Sequence, residues 1–153
     1  MNNSLIISLL FLIVGCSKLI DEPSLIEKNG VMYLPQSDKP YSGDVSKSDN
    51  FGKTLLKGTY KNGKKDRLWT WWYENGQKLK EETYKGGKED RSWTSWYKNG
   101  QKKFEGISKD GKRDGLWTDW DENGKKLKEE TYKDGELISQ EFWDEDGNEK
   151  ECD

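Results

Sequence analysis

The stretch WTWWYENGQKLKEETYKGG, residues 69–87, decides the fold. Four of its first five residues are aromatic, and two glycine pairs punctuate it, Asn75-Gly76 and Gly86-Gly87. Between those pairs lie short runs rich in Trp, Tyr, Thr, Lys and Glu, the composition of a half-buried strand. Asn-Gly and Gly-Gly suit the two-residue type I′ hairpin turn, whose central residues both need positive φ. The segment therefore reads as two strands and two turns.

The same pattern recurs along the chain. Trp69, Trp93 and Trp117 stand 24 residues apart, as do Trp72, Trp96 and Trp120, and Asn-Gly returns at 75–76, 99–100 and 123–124. The second turn class runs Asn62-Gly63, Gly86-Gly87, Asp110-Gly111 and Asp134-Gly135. The octapeptide KLKEETYK occurs at 78–85 and again at 126–133, two repeats later. Degraded copies flank the array, and FWDEDGNEKE (142–151) echoes WWYENGQKLK with one residue missing. Atypical end units are what a stack needs to cap itself. The fold expected is all-β: an elongated antiparallel meander of tandem 24-residue β-hairpins, about four and a half units in residues 29–153.

Strand pairing predicts the faces. A two-residue turn at Asn75-Gly76 sets Glu74 opposite Gln77, Trp72 opposite Leu79 and Thr70 opposite Glu81, and this recurring face is assigned to the inner stack. On the other face Trp71 meets Lys80, and in the next unit Trp93 meets Gly106, a large residue over a small one. Position 71 becomes Ser95 and then Asp119, while Tyr73 is kept as Tyr97 and then becomes Asp121. Aromatics that fade along the array behave as surface, so Trp71, Tyr73 and Tyr97 are the candidate interaction face. Alternate strands differ by two residues, since Gly76 to Gly87 is 11 and Gly87 to Gly100 is 13. A bulge at Asp114-Gly115 absorbs the excess. The earlier units carry Asp66-Arg67 and Asp90-Arg91 there, so either arginine tolerates the geometry or those bulges differ.

Composition bounds the partners. The chain of 153 residues is 31% hydrophobic and 36% charged, with eight Trp, seven Tyr and a net charge of −3. Disordered chains are poor in aromatics, so a thin core of large rings is expected instead. Acids and bases are interleaved, with no basic patch of the kind that binds nucleic acid. The chain has no His, which removes Ser/His and Cys/His nucleophiles and imidazole metal ligands. Its carboxylates recur with the repeat (Glu81, Glu105, Glu129), whereas a catalytic pair is a singular constellation. No catalytic, cofactor-binding or metal-binding residue is expected. DEDGNE, at 144–149, reads as a fifth turn rather than a calcium loop, because its Gly comes too early.

At the N-terminus, Leu5 to Val14 is almost entirely apolar, too short to span a bilayer and the right length for a secretory signal. Ile13-Val14-Gly15-Cys16 resembles a bacterial lipobox, which implies a signal peptide over 1–15 and a lipidated Cys16. An ordinary signal peptide with an incidental Cys is the alternative. Residues 16–28 then form the lipidated end and a tether. The expected place is the cell envelope, anchored to a membrane and facing away from the cytoplasm, at the outer membrane if the envelope is Gram-negative.

The consensus Trp-x-x-Trp/Tyr-Tyr-x-Asn-Gly-x-Lys, then Tyr-Lys-x-Gly-Lys-x-Asp-Gly-x-Trp, resembles the MORN repeat variant of bacterial lipoproteins often labelled YwqK-type toxin–antitoxin antitoxins. Residues 29–150 carry the resemblance, and NGVMYLPQSDKPYSG (29–43) resembles the segment that precedes those repeats. The resemblance implies a non-catalytic scaffold or protein-binding module. An anchored, exported protein does not meet a cytosolic toxin, which weighs against an antitoxin role. The alternative is a carbohydrate or choline-type cell-wall binder using exposed aromatics.

Overall fold

The computed structural model describes residues 19–150. Cys16, the apolar run before it and Cys152 lie outside the described residues. The described residues form fourteen strands and one 3-10 turn, Glu22–Ser24. In chain order the strands are β1 (Ile20–Asp21), β2 (Ile26–Lys28), β3 (Val31–Tyr33), β4 (Gly43–Ser48), β5 (Thr54–Lys61), β6 (Lys64–Trp72) and β7 (Lys78–Lys85). They continue with β8 (Lys88–Trp96), β9 (Lys102–Lys109), β10 (Lys112–Arg113), β11 (Gly115–Trp120), β12 (Lys126–Lys133), β13 (Glu136–Trp143) and β14 (Glu149–Lys150). β4 to β14 run as one antiparallel meander, β1 adds to β4 in parallel, and β2–β3 form a separate hairpin. The expected all-β meander is therefore the observed fold.

The two turn classes differ. At Asn62-Gly63, Asp110-Gly111 and Asp134-Gly135 both residues have positive φ, as do Gly86 and Gly87, so these are the expected type I′ turns. At Asn75-Gly76 only Gly76 does, with φ 89°. Tyr73 N–H donates to Gln77 O at 2.9 Å, and Gly76 N–H donates to Tyr73 O at 2.9 Å. This is a three-residue loop, a type I turn closed by a left-handed glycine, and not the expected two-residue turn. The extra residue moves the register, so Trp72 pairs with Lys78 rather than Leu79, while Thr70–Glu81 and Trp71–Lys80 pair as expected. DEDGNE closes the same way, with Asp144 N–H on Asn148 O at 2.9 Å, and is a hairpin turn.

The two-residue excess is absorbed where the spacing places it. Asp66 pairs with Thr59 and Thr70 with Lys57, leaving two residues of β6 unmatched against β5. Arg67 (φ 63°) and Arg91 (φ 78°) adopt the left-handed conformation that Gly115 (φ 86°) adopts in the third unit. Arginine thus tolerates the bulge, against a local steric cost of about 1 kcal/mol. Arg67→Gly with Arg91→Gly is expected to raise stability by up to about 1 kcal/mol per site. An urea-unfolding midpoint that falls instead would contradict this origin of the bulge.

The faces are reversed from the expectation. The buried cluster is Leu25, Tyr41, Val45, Leu56, Tyr60 and Trp69, with Ile20, Met32, Trp71 and Tyr84 packed against it. Cross-strand pairing puts Val45 with Gly58, Trp69 with Glu82, Glu82 with Trp93 and Trp93 with Gly106 in one row of this face. The Trp72 series, assigned above to the inner stack, is half-buried on the opposite side. There a Thr–Glu ladder runs from Thr70–Glu81 through Thr94–Glu105 to Thr118–Glu129. Lys78 pairs with Glu81 at 2.7 Å and reaches over Trp96 at 5.5 Å, and Lys126 does the same with Glu129 (2.7 Å) and Trp143 (4.6 Å). Lysine stems shield these rings, so they need no second layer.

The row is buried on the Trp69 side because the chain's own start folds over it. Leu25 is buried there, and β1 extends the sheet. Among the described residues the first strand is β1, Ile20–Asp21, so residues 20–28 pair and pack with the sheet.

Candidate functional site

The aromatic face carries two cation–aromatic boxes 48 residues apart, which doubles the repeat period. In the first, Lys65 Nζ lies 4.8 Å from the Trp69 ring, 5.0 Å from Trp71 and 5.0 Å from Tyr84. In the second, the Arg113 guanidinium lies 4.4 Å from Trp117, 5.5 Å from Phe104 and 5.1 Å from Tyr132. Burial pulls the Lys65 ammonium below its ordinary range. Trp69 and Trp117 fold back over glycines of the preceding strand, Gly58 and Gly106, and donate their indole N–H to Thr59 O (3.1 Å) and Ile107 O (2.9 Å).

The middle unit alternates with these. Glu82 stands where Gly58 and Gly106 stand, and Glu89 where Lys65 and Arg113 stand. Glu82 is 3% exposed, and it accepts from Lys80 at 2.7 Å, from the Tyr84 hydroxyl and from the Trp93 indole N–H. Burial would raise its carboxyl, but these three donors outweigh burial and hold it below the ordinary value. Glu89 has no ion pair among the described residues, and burial together with the Glu82 charge pushes its carboxyl up.

The signs are opposite. Glu82's contribution is complete above the ordinary carboxylate range and is lost as pH falls through its lowered folded value. Charged Glu89 instead costs stability at neutral pH, and the cost is relieved as pH falls through its raised folded value. Glu82→Gln is expected to destabilise at neutral pH by roughly 1–3 kcal/mol and to flatten the acid side of the melting profile. Glu89→Gln is expected to stabilise at neutral pH and to change nothing in acid. Thermal melts from about pH 7 to about pH 3 check both. An unchanged acid limb in Glu82→Gln would remove this role.

Beyond the first box the aromatic face opens into a groove of about 760 Å³. Trp93, Phe104 and Trp117 give it apolar walls, Arg113, Glu89 and Asp119 give it charge, and Tyr73, Tyr97 and Lys103 stand on its border. Phe104 packs edge-on to Trp93, with centroids 4.6 Å apart, and lies 5.0 Å from Trp117. Burial pushes the Asp119 carboxyl up, opposed by Lys128 at 3.5 Å.

The three candidate aromatics divide. Tyr73 and Tyr97 line the groove, and each also spans to the next unit, donating to Trp96 O and Trp120 O at 2.8 Å. Trp71 does not line it. It packs on the buried cluster, 5.9 Å from Trp69, with Lys80 over its ring at 4.2 Å. Where Tyr gives way to Asp121, the carboxylate serves its own turn, accepting from Asn123 N–H (2.9 Å) and Lys125 N–H (2.8 Å). Positions 71 and 73, read together as one candidate face, thus stand in different surroundings. Glu89, Phe104, Arg113 and Asp119 line the groove and were not among the candidate residues. Their signal was the KLKEETYK spacing, which marks a 48-residue alternation beneath the 24-residue one.

The family model of the MORN repeat variant matches residues 68–85 and 113–134. Both stretches contain the KLKEETYK octapeptide, and each covers strands that bracket a three-residue loop. No curated protein and no solved structure matches the chain.

Proposed function

We propose that this chain is a lipid-anchored envelope protein, attached through Cys16, that acts as a non-catalytic protein-interaction module through the groove between Trp93 and Trp117. The groove carries the reading: it combines apolar rings with unlike charges on a rigid repeat sheet, a mixture suited to a protein side chain rather than to a reacting bond. The enclosed carboxylate Glu82 supports a non-catalytic role, because its oxygens already accept from Lys80, Tyr84 and Trp93. The MORN repeat variant match supports a repeat module.

The exposed rings keep a cell-wall ligand, glycan or choline, as the second reading. Against choline, Arg113 already occupies the face of Trp117 at 4.4 Å, the place a quaternary amine would take. Titration of tryptophan fluorescence with peptidoglycan fragments, glycans and choline separates the readings. No saturable quenching is expected, and saturable quenching would overturn the protein-binding preference. The anchor is tested by fatty-acid labelling in cells: Cys16→Ser is expected to abolish it, and equal labelling would remove the anchor.

A further inference from the structure

The groove is the 48-residue translate of a surface that the chain already fills with its own start. Tyr41, Val45, Leu56, Tyr60, Lys65 and Trp69 at the first surface become Glu89, Trp93, Phe104, Ser108, Arg113 and Trp117 at the second. At the first, Leu25, Met32 and Ile20 pack on the cluster, and Met32 N–H donates to Gly63 O at 2.9 Å. An added Cβ at Gly63 would meet Val31 Cγ1 at 2.3 Å, so the segment sits directly on that turn. At the equivalent Gly111 the nearest atom is Lys88 Cβ at 3.7 Å, and no backbone donor reaches its carbonyl among the described residues. The second surface has the shape of the first without its occupant.

The substitutions say what the occupant must carry. Tyr41 becomes Glu89 and Trp71 becomes Asp119, so two half-buried carboxylates replace two rings. Arg113 is engaged by Glu130 at 3.3 Å and by the Tyr132 hydroxyl at 3.0 Å, and of the two groove carboxylates Asp119 meets Lys128 at 3.5 Å while Glu89 has no ion pair among the described residues. Burial, with the Glu82 charge, pushes Glu89 upward, and burial pushes Asp119 upward although Lys128 lies 3.5 Å away. The chain's own segment brings Asp21, Glu22 and Glu27 against Lys28 and would set acid against acid.

We infer that the groove over Trp117 docks an extended segment of a partner protein that sets a Leu-, Ile- or Met-sized side chain beside lysine or arginine. The inference deepens the protein-interaction reading and rests on it. The apolar side chain plays the part of Leu25 against the half-buried rings of Trp93 and Phe104, a backbone N–H takes that of Met32 on Gly111 O, and the cation meets Glu89 and Asp119.

The test uses the full chain and two synthetic peptides of residues 19–34. One has the native sequence, and the other carries Asp21→Lys, Glu22→Lys and Glu27→Lys. By calorimetry the lysine peptide is expected to bind saturably and at least about tenfold tighter than the native one. In the chain, Glu89→Lys with Asp119→Lys is expected to reverse that order. The milder Glu89→Gln with Asp119→Asn, which keeps the side-chain volumes, is expected to bring the two affinities together. No saturable binding of the lysine peptide, a preference for the native peptide as a second copy's segment would show, or a lysine preference that survives both double variants would overturn the inference. Its failure is distinguishable from that of the wider reading. A partner photocrosslinked in cells equally to wild type and to the charge-reversed chain would sink the groove assignment and leave protein binding standing. Saturable glycan quenching would sink the wider reading itself.

Discussion

Trp69→Ala is expected to destabilise the protein by about 3–5 kcal/mol, a large part of the roughly 5–15 kcal/mol that holds a domain of this size together. Trp69 is 0% exposed and joins three parts of the structure. Its ring lies on Gly58, it meets Tyr60 edge-on at 4.9 Å, and it shares one buried cluster with Leu25 of the N-terminal segment. Truncation also leaves the Thr59 carbonyl without its indole donor. The first box and the seating of residues 20–33 should fail together, so protease cleavage near Pro23 should accompany the fall in melting temperature. Trp72→Ala is expected to cost about 1–2 kcal/mol, because its ring is half-buried on the lysine-shielded side. A larger loss at Trp72 than at Trp69 would restore the inner-stack assignment that the structure reverses.

Gly106→Ala is expected to destabilise by about 1–3 kcal/mol, against the usual direction for this change in a strand. A methyl group on Gly106 would lie 2.1 Å from the Trp117 ring. Trp117 is 4% exposed, its indole N–H is held by Ile107 O, and Arg113 covers its far face, so the ring has nowhere to retreat. Gly58→Ala should behave alike, with the ring of Trp69 at 2.2 Å. Denaturant midpoints for both variants check this. Unchanged or raised stability would mean that the rings do not rest on these glycines.

Glycine pairs and tryptophan spacing made the meander legible, because each feature is local: a turn pair and a strand's worth of alternation between turns. The bulge was legible too, since two surplus residues must leave the ladder somewhere and Asp114-Gly115 offered a left-handed glycine. Which face is buried was not. The loop at Asn75-Gly76 does not decide it, because its extra residue moves Trp72 from Leu79 to Lys78 and leaves Thr70–Glu81 and Trp71–Lys80 paired as expected. It depends on Ile20 and Leu25, from the segment 16–28 read as a tether, packing on that face together with Met32. The groove was hidden for a related reason. Glu89, Arg113 and Asp119 look like solvated charges one unit at a time, and only superposing units two apart shows them in place of Tyr41, Lys65 and Trp71.

One face of the sheet is proposed to meet a protein partner. Photocrosslinking in living cells tests this directly, with the reactive side chain placed either at Lys103 on the groove border or at Ile107, which is 52% exposed. Ile107 follows Gly106 in β9 and so points to the opposite face. A discrete protein adduct is expected from Lys103 and none from Ile107. Adducts from Ile107 alone, or none from either position, would contradict the proposal.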